Sequence, residues 1–128
     1  MLENEISSII IASAIKVHRA MGPGLLESIY EAALYYELTI NCGLEVKRQF
    51  PFEVFYDGQP MGKRFRADLV VEDKVIIELK SVSEISKVFK KTLYSYLVLT
   101  DIHLGLLLNF NAAYLKDGIM RVVNNLEE

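Results

Sequence analysis

Asp68, Glu78 and Lys80 are spaced so that a tight hairpin running from Arg66 to Lys80 would carry all three on one face. Two carboxylates and an ammonium gathered at one end of a hairpin are the makings of a metal site. The apolar, β-branched runs 66–71 and 75–80 flank the polar cluster Glu72-Asp73-Lys74, which is the pattern of paired antiparallel strands. The period of two sends Ala67, Leu69 and Val71 one way and makes Val75, Ile77 and Leu79 an equally apolar set, so both sets belong to the core. They share a face only if Val71 lies opposite Val75, which makes 72–74 a three-residue loop. That register sets Asp68 across from Glu78, on a face that also shows Arg66, Val70, Ile76 and Lys80. Opposed like charges are destabilising, so a fold that keeps them there needs a compensating cation, and a divalent metal would supply one. The alternative reading of the same residues is a cross-strand salt bridge on an exposed sheet face.

The elements that must position this hairpin follow from periodicity. Ile6, Ile10, Ala14 and Val17 repeat at helical spacing over 4–20, and Met21-Gly22-Pro23-Gly24 stops the run. A second helix is predicted over 25–41, with Leu26, Ile29, Ala33, Tyr36 and Ile40 as its inward stripe and Glu27, Tyr30, Leu34 and Leu38 as the neighbouring line. A strand follows over 45–56, and the turn formers of 57–62 lead into the hairpin. A third helix is expected over 82–99 with Val82, Ile85, Phe89, Leu93 and Tyr96 facing in. The run 103–110 is too short for such a helix and too apolar for an exposed loop, so it reads as a buried strand. Lys116-Asp117-Gly118 marks a last turn before a short strand over 119–123. A strand reached through a helix beside an antiparallel trio gives a mixed sheet with helices packed against it, an α/β or α+β sandwich.

A chain of 128 residues, 52% hydrophobic and 24% charged, suits one globular domain spanning 1–128. With Cys42 alone there is no internal disulfide, and with only His18 and His103 besides it a zinc-finger type of site is excluded. Cys42 reads as a small buried or half-buried thiol, and both histidines as packing or surface residues. The start Met1-Leu2-Glu3-Asn4-Glu5 lacks a basic leader and no run spans a membrane, so a cytoplasmic protein is expected. A net charge of −3 argues against a surface that coats nucleic acid broadly. A local basic groove stays open, from Lys47, Arg48, Lys63, Arg64 and Arg66 around the strands and Lys87, Lys90 and Lys91 on the third helix, although solvated faces are the simpler reading. Exposed tyrosines and phenylalanines would favour a homo-oligomer.

Gly24-Leu25-Leu26-Glu27-Ser28-Ile29-Tyr30 matches the pattern of the GxxExxY protein family, and Arg66-Ala67-Asp68 with Glu78-Leu79-Lys80 matches the spaced acid and the (D/E)XK tripeptide of the PD-(D/E)XK, or restriction-endonuclease-like, nucleases. Gly105-Leu106-Leu107-Leu108-Asn109-Phe110 resembles the closing strand of the same family. The chain is therefore similar to a GxxExxY protein over nearly its whole length. That resemblance implies a restriction-endonuclease-like core of a helix, three antiparallel strands, a helix and a further strand. It implies nucleic acid as partner and Mg²⁺ or Mn²⁺ as cofactor. Asp68, Glu78 and the backbone carbonyl of Leu79 would be metal ligands, Lys80 would orient or deprotonate the attacking water, and Glu27 would be an additional acid from the preceding helix. One departure is Thr92, which stands where the family commonly has glutamine.

Phosphodiester hydrolysis needs an activated water in line with the leaving oxygen and a positive centre for the non-bridging oxygens, and magnesium with a few oxygen ligands suits both tasks. Glu27 is read alternatively as a carboxylate favoured by the helix dipole, and Tyr30 as a core aromatic that at most supports Glu27 through a hydrogen bond. Two functions follow: a metal-dependent nuclease, or a catalytically inactive module of the same fold that binds nucleic acid or serves protein assembly.

Overall fold

A computed structural model describes residues 1–127. Its elements are α1 (Glu3–Met21), α2 (Glu27–Tyr36) continued by a π turn (Glu37–Asn41), β1 (Val46–Tyr56), β2 (Gln59–Val71), β3 (Val75–Lys80), α3 (Lys87–Thr100), β4 (Leu104–Asn109) and β5 (Ile119–Val123). The five strands form one sheet in sequence order. β1, β2 and β3 run antiparallel, β4 joins β3 in parallel after the α3 crossover, and β5 returns antiparallel on β4. This is the mixed sheet expected from the sequence.

Each face of the sheet has its own core. Leu69, Val71, Val75, Ile77 and Leu79 meet Leu104, Leu106 and Leu108 under Ile6, Ile10, Ala14 and Val17 of α1 and Tyr30, Leu34 and Leu38 of α2. On the other face Val70, Ile76, Leu107 and Val122 pack under Leu93 and Leu97 of α3. β4 is buried along its whole length because helices cover both of its faces, which is why it reads as a continuous apolar run. Gly105 lets α3 settle directly on it: a methyl group added there would stand 3.0 Å from Leu93 Cδ1.

Several expectations need correcting. The inward stripe of α2 is Tyr30, Leu34 and Leu38, whereas Leu26, Ile29, Tyr36 and Ile40 are exposed. The cause is Tyr30, whose ring stacks on Phe110 at 4.5 Å and whose hydroxyl donates to the Gly22 carbonyl and accepts from Leu25 N–H, so it braces the loop rather than Glu27. Next, the third helix begins at Lys87 rather than 82. The Asn109 side chain clamps Val82 by accepting from its N–H at 3.1 Å and donating to its carbonyl at 2.9 Å, and Ser86 then caps the helix by accepting from Val88 N–H. The strand before the hairpin turn is also longer than read. Only Asp57 and Gly58 turn, both at positive φ (53° and 73°) as a two-residue hairpin turn requires, and β2 runs from Gln59. Finally, Cys42 is exposed.

The hairpin register is as derived from Val71 opposite Val75 to Leu69 opposite Ile77, but the pairing stops there and Asp68 is not paired across from Glu78 as expected. Ala67 departs from its expected face and joins Val70 and Ile76 in the core under α3. Gln49, between the pairs Arg48↔Leu69 and Phe50↔Ala67, holds a left-handed φ of 49°, and the β1–β2 ribbon turns over at that point. Asp68 stands opposite this kink.

Gly105→Val should destabilise the protein by about 1–3 kcal/mol through overpacking against Leu93. Urea denaturation of the variant checks this; an unchanged midpoint would mean that α3 does not rest on β4 as described.

Candidate active site

Pairing between β2 and β3 extends from Val71↔Val75 to Leu69↔Ile77 and goes no further. Beyond it the Leu79 N–H, turned toward β2, is taken by Asp68 Oδ2 at 2.8 Å. The other Asp68 oxygen accepts from Gln49 Nε2 at 3.2 Å. The same Gln49 nitrogen donates to Glu31 Oε1, and Glu31 Oε2 accepts from Arg48 Nε at 2.9 Å. Asp68 is thus fixed from both sides of the sheet: from β3 by a backbone amide, and from α2 through a glutamine that bridges two carboxylates.

Asp68, Glu78 and Lys80 line one cavity of about 390 Å³, together with Arg66 from β2 and Phe89, Thr92 and Tyr96 from α3. Glu78 faces α3 with its Oε1 buried and without a hydrogen-bond partner. Its carboxyl is pushed up to about 9, first by burial and then by the neighbouring Asp68 carboxylate, with Lys80 opposing both. Burial and the two carboxylates also raise the Tyr96 phenol. Lys80 Nζ lies 4.5 Å from the centroid of the Phe89 ring, a cation–π contact. Among the described residues the ion pairs are Lys16–Glu37, Lys47–Asp73 and Arg48–Glu31, so Lys80 is not tied to either carboxylate and the cross-strand salt bridge does not form.

The remaining expected residue stands apart. Glu27 is the exposed first residue of α2 and is not part of the cavity lining. It lies one helical turn before Glu31 and so on the same face of α2. The Leu25 carbonyl just before it accepts from Ser81 Oγ at 2.8 Å, which joins the head of α2 to the end of β3. Among the described residues no three Asp, Glu, His or Cys side chains are grouped as they would be around one ion. Both histidines are packing residues: His18 Nε2 bonds the Ala112 carbonyl and His103 Nδ1 the Asn124 carbonyl, each at 2.8 Å.

Sequence reasoning missed Glu31, Gln49 and Phe89 as supports of the site. Glu31 carried a signal, being an acid inside the apolar line Tyr30, Leu34, Leu38. Gln49 carried none, because its place opposite Asp68 comes from the β1–β2 register alone.

A cation fits these residues on physical grounds. Glu78 Oε1 has no partner and Asp68 adds like charge beside it, so a divalent ion would satisfy the first and offset the second.

The chain belongs to the PD-(D/E)XK nuclease superfamily, whose family model matches residues 4–122. Its fold is similar to a solved structure described as "Crystal structure of SSO0001", with a TM-score of 0.55 and 19% identity over 78% of this chain. The match covers 50% of that chain, so the present sequence spans about half its length. At that identity the likeness shows a shared fold alone. Among curated proteins no match was found. No helix is long and apolar enough to cross a membrane among the described residues.

With divalent ions chelated, Glu78 makes stability depend on pH in a definite direction. Its folded value of about 9 exceeds the ordinary 4.5, so the folded state holds a proton that the unfolded state releases. Stability should therefore fall as pH rises between those values, by up to ~1.4 kcal/mol per pH unit. Glu78→Gln should flatten this slope and melt higher than the parent at pH ~8. Denaturant titrations across pH decide it, and parallel profiles for the two proteins would contradict the burial of this carboxyl.

Proposed function

We propose that this protein is a metal-dependent nuclease hydrolysing phosphodiester bonds of DNA or RNA. One observation carries the reading: Asp68, Glu78 and Lys80 line a single cavity in which a buried Glu78 oxygen has no partner. The Gly24–Tyr30 motif further supports a place in the GxxExxY family. Asp68, Glu78 and the Leu79 carbonyl would hold Mg²⁺ or Mn²⁺, an all-oxygen set suited to these hard ions. When bound, the ion supplies a Lewis acid at the phosphoryl oxygens and lowers the pKa of attached water.

The chain's own groups divide the remaining work. Asp68 is kept in one rotamer by the Leu79 amide and Gln49, so it meets its ligand without first being ordered. Glu78 must lose its proton to act, and its unsatisfied oxygen favours an incoming cation over solvent exposure. Lys80, steadied over Phe89 and unpaired with either carboxylate, is free to orient the attacking water as an ammonium or, once it has given its own proton to solvent, to take the proton of that water. Water oxygen then bonds to phosphorus as the bond to the leaving oxygen breaks, and that oxygen is protonated from solvent. Arg66 at the cavity wall suits the scissile phosphate. Glu27, the additional acid implied by the family resemblance, lies at the exposed head of α2 outside the cavity lining. Thr92 lines the cavity with a shorter reach than the glutamine common in the family.

Purified protein should cut DNA or RNA with Mg²⁺ or Mn²⁺ and stop when the ion is chelated. Lys80→Ala should lower the rate by roughly 100-fold or more, and Asp68→Ala should abolish cleavage while both variants stay folded. Mg²⁺ should raise the melting temperature of the parent and not of Asp68→Ala. No cleavage of single- or double-stranded DNA or RNA with either ion would end the nuclease reading. A metal-dependent thermal shift without cleavage would leave the inactive binding module in its place.

A further inference from the structure

The catalytic cavity occupies one side of α3, where Phe89, Thr92 and Tyr96 line it. Another part of the same helix carries Lys87, Lys90 and Lys91, all exposed. Nothing in the packing of the helix calls for three lysines. Lys87 is one turn from both of the others, the spacing at which like charges repel. All three lie toward the N-terminal end, where the backbone dipole is already positive and favours acids. α3 nevertheless contains no acidic residue, although the chain as a whole carries a net charge of −3. Among the described residues none of these lysines forms an ion pair. An arrangement that opposes the stability of its own helix and has no internal counter-charge is complementary to a polyanion.

Lys90 and Lys91 also line a groove of about 540 Å³ between α3 and β5, with Tyr94, Ser95 and Val122. The Tyr94 ring is 48% exposed there. One helix diameter, ~10–12 Å, separates this groove from the cavity, which is the rise of roughly three nucleotides at ~3.4 Å each.

We propose that this groove is a second contact for nucleic acid, in which Lys90 and Lys91, with Lys87 one turn away on α3, hold backbone phosphates about three nucleotides from the bond being cut. The inference rests on the nuclease reading for the path of the polymer, but binding at the groove needs no chemistry. Phosphates are the shared ligand of single strands and duplexes. Tyr94 distinguishes the two, since stacking on its ring needs an unpaired base.

Binding is measured by fluorescence anisotropy in the Asp68→Ala background, with a labelled single-stranded DNA and the matching duplex, across a salt series. Lys90→Gln/Lys91→Gln should flatten the slope of log affinity against log salt by about 1.4 for the single strand or about 1.8 for the duplex, from ~0.7 or ~0.9 per phosphate contact. Its melting temperature should hold or rise, because the like-charge contacts are gone. Added Tyr94→Ala that weakens only single-strand binding marks an unpaired strand in the groove; a lysine effect without a tyrosine effect marks a duplex. In protein with Asp68 intact, the lysine pair should raise KM for the oligonucleotide and leave hydrolysis of bis-p-nitrophenyl phosphate, too small to reach the groove, unchanged. An unchanged salt slope overturns the proposal. Lysine-dependent binding by an Asp68-bearing protein that cuts nothing would instead sink the nuclease reading and leave the groove standing.

Discussion

The site depends on the parting of β2 from β3 beyond Leu69 and Ile77. A sheet that stayed zipped would give the Leu79 N–H to a backbone carbonyl and press Asp68 and Glu78 together on a flat face, where opposed carboxylates are unfavourable. Parting the strands leaves a backbone amide that must be satisfied, and the Asp68 carboxylate satisfies it at 2.8 Å. One hydrogen bond thus holds the gap open, gives Asp68 a fixed orientation and leaves Glu78 to turn toward α3. The left-handed Gln49 opposite Asp68 belongs to the same event, since it turns the ribbon and carries Glu31 of α2 into contact with the site.

The sequence was readable wherever one period dominated. α1 with Ile6, Ile10, Ala14 and Val17, the hairpin register at Val71 and Val75, and the buried run of β4 are as derived because each is decided by burial of a regular pattern. α2 was ambiguous, because it carries two apolar lines at helical spacing and only the partner decides between them. Phe110, eighty positions away in sequence from Tyr30, makes that choice by stacking. The start of α3 was hidden for a similar reason, as Asn109 binds both the N–H and the carbonyl of Val82 from β4. Asp68, Glu78 and Lys80 line one cavity because they sit near the end of one hairpin, which local spacing makes readable, although strand pairing stops short of Asp68. Their supports, Gln49 and Phe89, come from elements whose approach is a property of the whole fold.

Two features of the molecule work against its stability in the same neighbourhood. Glu78 is half-buried beside Asp68 with its Oε1 buried and unsatisfied, and α3 opens with lysines rather than acids. Both are places where a different residue would suit the isolated fold better, one in the cavity and the other on another part of the helix that lines it. Local choices that conflict with the fold are expected to concentrate where a ligand resolves the conflict. A cation at Glu78 and a polyanion along α3 would do so with opposite signs of charge, which is the pairing that a nucleic acid bound with its metal presents.

Lys80 bears most directly on the choice between a structural and a chemical reading of these charges. An ammonium this near two carboxylates has a ready internal use, because an ion pair with Glu78 would give the buried oxygen its missing partner and draw its proton affinity back down. Lys80 instead rests over the Phe89 ring, 4.5 Å from its centroid. The stabilising pair is within the means of the sequence and is not made. A cavity that holds acid and base side by side without letting them neutralise each other retains both for a third species, and the oxygen-rich half suits a hard cation while the ammonium suits the water or phosphate beside it.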